Sequence, residues 1–399
     1  MTEFNLVRTA LPVGQGAFYC ERFTDDTTKV VHNIVYDCGA CDNSKNETHE
    51  LSSEIKGLLK KGDTIDILFI SHFDADHVNG IEQLATRYNI NKIVLPEITK
   101  NLWYIYALGA YCSQFTVMAN FANFLNSHSK QLVEVGPASE EDSFELERDE
   151  IDITDYNSNK ILPSGTKIRT GKKTNPFFWC YIPMNYTKPQ TELDALKANL
   201  FNIKLPNGQN LTEEEIKDAS IVGKLANEIK DAFTKSKFTT NSTSMVVYSG
   251  PSIAKVNFDH SSLYARIRFH KIWNPLCYYY PYWSDSTACL YTGDAVLNSK
   301  RCNSISGYIR RIKDNIGILQ IPHHGSKSNF SVDNFENAFK LELDDIFCFA
   351  SYGINNRYRH PSSKVVTDLM LHGAERYGVT EEKDSQFYEH VRISIYCRS

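Results

Sequence analysis

Two imidazoles and two carboxylates stand within six positions of this sequence, in the stretch Ser71-His72-Phe73-Asp74-Ala75-Asp76-His77. The stretch directly follows the apolar run Ile65–Ile70, which is typical of a buried strand. The polar side chains are therefore expected on a loop leaving a core strand, where α/β proteins build their sites. Together they could hold one or two divalent metals. The alternative is a structural loop whose acids cap a helix, but capping needs one acid and leaves both histidines unexplained.

Three later stretches share this pattern, an apolar strand followed by residues that can bind a metal. Leu290-Tyr291-Thr292-Gly293-Asp294 places a carboxylate after a strand, and Ile321-Pro322-His323-His324-Gly325 places two histidines after another. The third runs from Phe347–Ser351 to Asn355-Asn356-Arg357-Tyr358-Arg359-His360-Pro361. Taken singly, each stretch reads as an ordinary turn. Four of them in one chain indicate a metal site.

Hydrophobic periodicity places these stretches in a chain of alternating strands and helices, and predicts an α/β fold. Phe4 to Phe23 is expected to form a hairpin around Gly14-Gln15-Gly16, and helical sequence dominates residues 100–130. The acidic stretch 140–150 is typical of a solvated loop, and the segment Leu193 to Phe233 is prone to form helices. A helix is also predicted at Gly80–Tyr88, and strands at Val30–Cys38, Lys92–Leu95, Ile161–Ile168, Pro176–Ile182, Ser244–Tyr248, Ala288–Tyr291, Ile316–Ile321 and Asp345–Ser351.

The composition is that of a globular protein: of 399 residues, 42% are hydrophobic and 23% are charged. The net charge of -5 argues against a polybasic nucleic-acid coat, although a local basic cleft stays open. Ten cysteines lie mostly inside apolar runs, which favours buried, reduced thiols in a cytoplasmic protein. Cys38-Gly39-Ala40-Cys41 has no second pair, so a zinc knuckle is not expected.

Membrane insertion is not expected from this sequence. The amino terminus has no basic region followed by an apolar core, so no signal peptide is predicted. Residues 101–127 carry no charge, but polar residues such as Ser113, Gln114 and Asn120 interrupt the run. We expect there a helix buried in the protein or in an oligomer interface.

The motifs HxDxDH, TGD, PHHGS and NNRYxHP, in this order, resemble those of the metallo-β-lactamase superfamily. Within it they are most similar to the soluble hydrolase domain of the ComEC-type DNA-uptake proteins and their stand-alone relatives. Val13-Gly14-Gln15-Gly16, Asp37-Cys38-Gly39 and the Asn-x-x-Ser strand from Asn241 fit the same pattern. The resemblance covers about residues 8–98 and 240–370. It implies a four-layer αββα sandwich over residues 1–399, with a mainly helical insertion at 100–235.

The resemblance also implies a ligand set at one edge of the two sheets. His72 and Asp74 would serve a first metal, and Asp76 and His77 a second, with Asp294 bridging both. One of His323 and His324 would complete a shell. His360 would point into the site as a ligand, phosphate contact or general acid.

Two departures from the superfamily pattern bear on the metal. Asp74 stands where the superfamily has histidine, a change that the ComEC-like branch shares. The third histidine of the first metal has no counterpart near Asn241 to Tyr248. An oxygen-rich site suits Mn²⁺ or Mg²⁺ better than a three-histidine zinc site does. We therefore expect manganese, with zinc or magnesium as alternatives.

A metal held by anionic ligands lowers the pKa of its water, and two metals clamp the oxygens of a phosphodiester. Asp76 is expected to orient the nucleophile, and Lys327, Arg357 and Arg359 to face the developing negative charge, unless they are ordinary surface cations. The Tyr-rich segment 278–283 could stack bases or belong to the core.

These features predict a metal-dependent phosphodiesterase, a nuclease acting on DNA, RNA or another nucleotide. A zinc hydrolase of a lactam, lactone or thioester, and a non-catalytic regulatory module, are the alternatives. The expected partners are the nucleic-acid or nucleotide substrate and a second copy or partner protein at 100–235. DNA uptake is not expected, because the chain has no cluster of hydrophobic spans.

Overall fold

The computed structural model describes residues 2–41, 47–97, 129–138, 150–154, 161–170, 179–186, 190–216, 219–236, 243–252, 265–273 and 286–397. The strands within these residues are β1 (Thr2–Ala10), β2 (Tyr19–Asp25), β3 (Val31–Tyr36), β4 (Thr64–Phe69), β5 (Asn89–Pro96), β6 (Ser129–Val135), β7 (Glu150–Asp152), β8 (Lys167–Thr170), β9 (Trp179–Asn185), β10 (Met245–Pro251), β11 (Ala265–Trp273), β12 (Ala288–Tyr291), β13 (Ile316–Gln320), β14 (Phe347–Ser351), β15 (Glu375–Val379) and β16 (Phe387–Cys397). The α-helices are α1 (Glu47–Gly57), α2 (Ala75–Val78), α3 (Ile81–Arg87), α4 (Gln190–Phe201), α5 (Glu213–Ile216), α6 (Ala219–Lys224), α7 (Ala226–Ser236), α8 (Ser299–Tyr308), α9 (Val332–Phe339) and α10 (Ser363–Leu371).

The strands form two eight-stranded sheets. The first has the order β11-β16-β1-β2-β3-β4-β5-β6, and the second has the order β15-β14-β13-β12-β10-β9-β8-β7. Strands β3 to β6 run parallel in the first sheet, as do β12 to β15 in the second. Parallel neighbours end at the same edge of a sheet, so the loops that follow β4, β12, β13 and β14 can meet.

Three hydrophobic clusters separate four layers. One cluster lies between the two sheets and includes Phe69, Tyr291 and Ile318. A second joins the outer face of the first sheet to helices α1, α3 and α4 to α7. The third joins the outer face of the second sheet to α8, α9 and α10. This αββα arrangement confirms the predicted metallo-β-lactamase sandwich.

Residues 100–235, expected to form an insertion, contribute to the sandwich itself. Strands β6, β7, β8 and β9 arise from this range and pair within the two sheets. Its described helices, α4 to α7, pack on the outer face of the first sheet through residues such as Leu196 and Ile229. Most of the helical sequence expected at 100–130 and of the acidic stretch expected at 140–150 lies outside the described residues. Among the described residues of this range, the helices lie within 190–236.

Most predicted elements are present within a few residues of their expected bounds. The amino-terminal hairpin is confirmed, because β1 and β2 pair antiparallel from Phe4 to Asp25. The strand predicted at Ile161–Ile168 is wrong in its placement, since β8 begins only at Lys167. Pro163 and Gly165, which has a φ of 85°, form a turn there instead.

No helix in the described part of the chain is long and apolar enough to cross a membrane. The uncharged run 101–127 falls outside that part. The seven cysteines whose side chains the structure describes are buried, as expected for thiols inside apolar runs.

Candidate metal centre

His72, His77 and Asp294 meet where the loops after β4 and β12 come together. Nε2 of His72 lies 3.7 Å from Oδ2 of Asp294, and Nε2 of His77 lies 3.2 Å from Oδ1 of the same carboxylate. All three side chains are buried. Their ligand atoms lie within 4.8 Å of one another, close enough to share one metal ion.

A second group consists of Asp76, His77 and His324. Nε2 of His324 lies 3.2 Å from Oδ2 of Asp76, and the ligand atoms of all three again lie within 4.8 Å. His77 belongs to both groups. The structure therefore offers two overlapping sets of ligands, in keeping with one or two ions.

Asp74 and His323 flank these groups. Oδ2 of Asp74 lies 3.8 Å from Nε2 of His72, and Nε2 of His323 lies 3.7 Å from Oδ2 of Asp294. Of the two adjacent histidines, His324 is buried and reaches Asp76, whereas the side chain of His323 is 27% exposed. Both have positive φ, 49° and 55°, a backbone region that non-glycine residues enter rarely and often at functional sites.

Asp37, the residue that directly follows β3, supports His72 and His77 from the side that faces away from the candidate metal centre. Its fully buried carboxylate accepts hydrogen bonds from the backbone N–H of Ser71 at 2.7 Å and from Ser71 Oγ at 2.6 Å. Nδ1 of His77 lies 2.8 Å from Asp37 Oδ2. A carboxylate behind a histidine orients the ring and makes it a better metal ligand.

These contacts fix which ring nitrogen of each histidine carries its proton. The carboxylate of Asp37 accepts from Nδ1 of His77. Ser71 Oγ gives its proton to Asp37, so it accepts from Nδ1 of His72 at 2.9 Å. The Ser351 carbonyl accepts from Nδ1 of His324 at 2.7 Å. In their neutral forms, His72, His77 and His324 therefore all turn an Nε2 lone pair toward the centre.

The buried Nε2 atoms provide a direct test of whether a metal fits. Nε2 of His72 and Nε2 of His77 are buried and make no hydrogen bond with any residue that the structure describes. Leaving a buried polar atom unsatisfied costs free energy, and native proteins rarely do so without a functional reason. Coordination of a divalent cation would satisfy both atoms. The residues fit a metal.

The charges of the cluster stabilise one another. Burial disfavours the charged form of His77, but Asp294 and Asp37 outweigh it and raise its pKa well above the ordinary value. Burial alone would raise the pKa of Asp294, yet His77 and His323 hold it well below the usual range. Burial, with His77 nearby, lowers the pKa of His72 to about 4.

The partners Asp76 and His324 show the same coupling. Burial would raise the pKa of Asp76, but the hydrogen bond from His324 and the charge of His77 lower it. Burial would lower the pKa of His324, but Asp76 and Asp294 raise it. Such opposed shifts among buried groups mark candidate functional sites.

Two glycines let the backbone pack closely around the centre. A Cβ on Gly39 would lie 2.5 Å from the carbonyl carbon of Asp76. The backbone amides of Ala17 and Cys38 donate to the carbonyls of Asp76 and His77. Two loops therefore hold α2, the short helix that carries these two residues, in place. Gly293 has a φ of 52° and leaves no room for a Cβ, which would lie 2.7 Å from Cβ of Ser71.

Gln320 holds the turn that carries Asp294. Its Oε1 accepts from the backbone amides of Thr292 and Gly293, at 2.7 and 2.9 Å. Nε2 of Gln320 donates to the Gly293 carbonyl at 3.1 Å. This last residue of β13 therefore positions the carboxylate at the end of β12.

The other predicted site residues lie at differing distances from the cluster. The His360 ring is half-buried, with its centroid 5.5 Å from that of His323, and burial together with His323 and His324 lowers its pKa to about 4. Lys327 and Arg359 are exposed. Arg357 is exposed too, and donates to the Tyr358 hydroxyl at 2.6 Å. The described contacts do not link these three cations to the histidine–carboxylate cluster.

The sequence reasoning did not assign roles to Asp37, Ser71, Gln320 and Ser351. The Asp-Cys-Gly after β3 was a usable signal for Asp37, because it is a buried acid at a strand end next to a glycine. The spacing of residues in the sequence does not indicate a role for Gln320 or for the Ser351 carbonyl. The superfamily pattern has a third histidine near Asn241 to Tyr248, where this chain has none. In that stretch, Ser244 Oγ accepts a hydrogen bond from the backbone amide of Asp294 at 3.2 Å.

Comparisons with known proteins give a family match over one segment of this chain. The family model described as the metallo-beta-lactamase superfamily matches residues 31–149, which include the loop from His72 to His77. A solved structure, the crystal structure of unliganded yeast PDE1, aligns with 99% of this chain and 100% of its own at 9% identity and a TM-score of 0.33. No protein in the curated collection matches. The matched segment, the αββα sandwich and the histidine–carboxylate cluster together indicate a metal-dependent hydrolase whose residues 31–149 are similar to the metallo-beta-lactamase superfamily.

Proposed function

We propose that this chain is a metal-dependent phosphodiesterase that hydrolyses a phosphodiester of DNA or of another nucleic acid or nucleotide. The observation that carries the proposal is the placement of Asp294. One of its oxygens faces His77 and the other faces His72 and His323. A carboxylate whose two oxygens face different histidines in this way suits a pair of divalent ions.

The ligands divide between the two positions. His72 and Asp74 would hold the first ion, and Asp76, His77 and His324 the second, with Asp294 shared. A bound divalent metal supplies Lewis acidity to the phosphodiester and lowers the pKa of an attacking water. Three carboxylates in the set favour Mn²⁺ or Mg²⁺ over a zinc site of three histidines.

The chain's own residues supply orientation and proton control. Asp76, with Oδ2 against His324 and a pKa below the usual range, stays an acceptor that can orient a nucleophilic water. His360, beside His323 at the half-buried rim, would contact the phosphate. Lys327, Arg357 and Arg359, being exposed, would act only on parts of a substrate that extend outside the cluster.

Asp74 favours a phosphodiester over the zinc-dependent alternatives. A lactam, lactone or thioester hydrolase needs zinc as Lewis acid, and imidazole nitrogen suits zinc better than a carboxylate does. Asp74 places oxygen beside His72 at the position where the lactamase pattern has nitrogen. The zinc hydrolase remains the second candidate on the strength of the four nearby histidines.

The test is a hydrolysis screen of the full chain with Mn²⁺, Mg²⁺ and Zn²⁺. The substrates are single-stranded DNA, duplex DNA, RNA, cyclic nucleotides, nitrocefin and a lactone. We expect phosphodiester cleavage that EDTA abolishes, that Mn²⁺ restores, and that Asp76→Asn and Asp294→Asn both lose. Asp333→Asn is the matched control, since it removes the same charge from an exposed position on α9.

Full activity of the two site variants would show that the site is wrongly placed. Cleavage of nitrocefin or the lactone, with every phosphodiester left intact, would favour the second candidate. A chain that binds no divalent ion would be a non-catalytic module instead. A second copy or a partner protein at 100–235 stays a separate prediction, to be checked by the oligomeric state in solution.

A further inference from the structure

An aromatic row leads from the candidate metal centre to the surface. It consists of the rings of His323, His360 and Tyr358 and the guanidinium of Arg357. The His323 and His360 centroids are 5.5 Å apart, and those of His360 and Tyr358 are 6.0 Å apart with planes only 14° from parallel. The Arg357 carbon Cζ lies 4.8 Å from the centroid of Tyr358.

The row becomes more exposed as it leaves the centre. Its inner end touches the buried carboxylate of Asp294 through His323, whose side chain is 27% exposed. Its outer end, Tyr358, is 48% exposed and is among the most exposed large apolar side chains that the structure describes. A ring that served only to pack the loop would gain more by being buried, because its apolar area would then leave water.

The loop that carries the row is held in one shape. The Asn356 side chain donates to the carbonyls of Gly353 and His360 at 2.7 and 2.6 Å, and its Oδ1 accepts from the His360 amide at 2.9 Å. At the start of the loop, the Ile354 amide donates to the Glu381 carboxylate at 3.0 Å. Tyr358 is therefore presented by an ordered loop, which lowers the entropic cost of binding against it.

The outer end of the row combines a π-face with a positive charge. Arg357 lies over the Tyr358 ring and donates to its hydroxyl, which keeps the cation beside the aromatic surface. Aromatic rings and guanidinium planes are the groups on which nucleobases stack, and the cation attracts a neighbouring phosphate. In a nucleotide, the base lies one sugar unit from the phosphate. Along the row, two ring-to-ring steps lead outward to Tyr358, the first from His323 at the centre to His360 and the second from His360 to Tyr358.

We propose that Tyr358, supported by Arg357, is a base-stacking subsite that binds the nucleobase next to the scissile phosphate. The proposal rests on the proposed phosphodiesterase function and names the part of the substrate that lies outside the metal cluster. It gives the enzyme a preference for nucleotide esters over simple phosphodiesters, with little discrimination between bases, because every base has a π-face.

Two esters with one leaving group test the subsite: thymidine 5′-(p-nitrophenyl) phosphate, which carries a base, and methyl p-nitrophenyl phosphate, which does not. Tyr358→Ala is expected to raise KM for the thymidine ester by about tenfold, the effect of losing one stacked base. It should leave kcat, and both constants for the methyl ester, unchanged. Tyr358→Phe should raise KM much less than Tyr358→Ala does, because the ring supplies both the stacking face and the cation–π contact with Arg357, and only the hydroxyl that Arg357 contacts is lost.

Equal effects of Tyr358→Ala on the two esters, or no effect on either, would overturn the subsite. Calorimetric binding of thymidine 5′-monophosphate to the Mn²⁺-loaded protein separates this result from a failure of the proposed function. If the wild type cleaves neither ester but binds the nucleotide about tenfold tighter than Tyr358→Ala does, the subsite stands and the phosphodiesterase proposal fails. If both proteins bind it equally, the subsite is wrong whatever the activity.

Discussion

Nδ1 of His77 lies 2.8 Å from Oδ2 of Asp37, on the side of the ring that faces away from the candidate metal centre. The opposite nitrogen, Nε2, lies 3.2 Å from Asp294. One buried carboxylate thus orients the ring and another shares the centre with it. This pairing, with Ser71 between Asp37 and His72, makes Asp37 the residue on which the geometry of two histidines depends.

Replacing Asp37 by asparagine should weaken metal binding without removing a ligand. The amide is nearly the same size, but it lacks the charge and offers only one acceptor oxygen to Ser71 and His77. We expect a loss of about 10- to 100-fold in Mn²⁺ affinity, the usual effect of removing an outer-shell partner. Titration calorimetry measures it, with Asp333→Asn as the control for a lost surface charge. An unchanged affinity would show that Asp37 only packs the loop.

His323 and His324 should differ sharply on removal, although they are neighbours in sequence. His324 is buried and contacts Asp76, so His324→Ala removes a ligand of the second group. His323→Ala removes a partly exposed ring that faces Asp294 from the rim. We expect the first variant to retain less metal per chain than the second, as measured by elemental analysis after dialysis. The reverse order would assign the ligand to His323.

Gly39→Ala should destabilise the protein and reduce activity together. The new Cβ would lie 2.5 Å from the carbonyl carbon of Asp76 and 2.6 Å from the amide nitrogen of His77, so the backbone of two candidate ligands must move. The cost should be about 1–3 kcal/mol, as for other overpacked positions. Gly57→Ala is the matched control, because no atom lies within 4 Å of its added Cβ. Urea unfolding that gives the two variants equal stability would contradict this account.

Metal binding should release protons at neutral pH. In the metal-free protein, Asp294 and Asp37 raise the pKa of His77, and Asp76 raises that of His324, against the effect of burial. Both histidines are then protonated in part or fully at pH 7, and a metal must displace the proton on Nε2. Affinity should therefore fall as pH is lowered.

Calorimetry in two buffers of different ionisation enthalpy measures these protons. We expect the apparent binding enthalpy at pH 7 to differ between the buffers and to converge at higher pH. His72, whose pKa is lowered to about 4, should contribute no proton in this range. Equal enthalpies in both buffers at pH 7 would show that His77 and His324 are already neutral before the metal binds.

The local parts of the centre were predictable because they depend on neighbours in sequence. The apolar run before His72 forms β4, and the four polar residues follow on its loop, as the hydrophobic pattern indicates. The placement of Asp294 after β12 follows in the same way. Prediction was weaker for residues 100–235. Among the described strands, β7, β8 and β9 pair with one another and join the rest of the second sheet only through β10, outside this range, so composition could not distinguish them from an insertion.

For this protein, the sequence alone determined the residue types at each strand end, and hence a metal-compatible loop at His72 to His77. The sandwich was implied by the resemblance of those motifs to a known superfamily. The sequence also indicated that carboxylates, Asp74 and Asp294 among them, are prominent in the site. The tertiary structure alone decided that His324 rather than His323 joins Asp76, and that Asp37 fixes the ring of His77. The reason is physical: the contact of His324 with Asp76 joins residues 248 positions apart and exists only once the two sheets have packed, and that of Asp37 with His77 joins residues 40 positions apart and needs β3 and β4 to pair within one sheet.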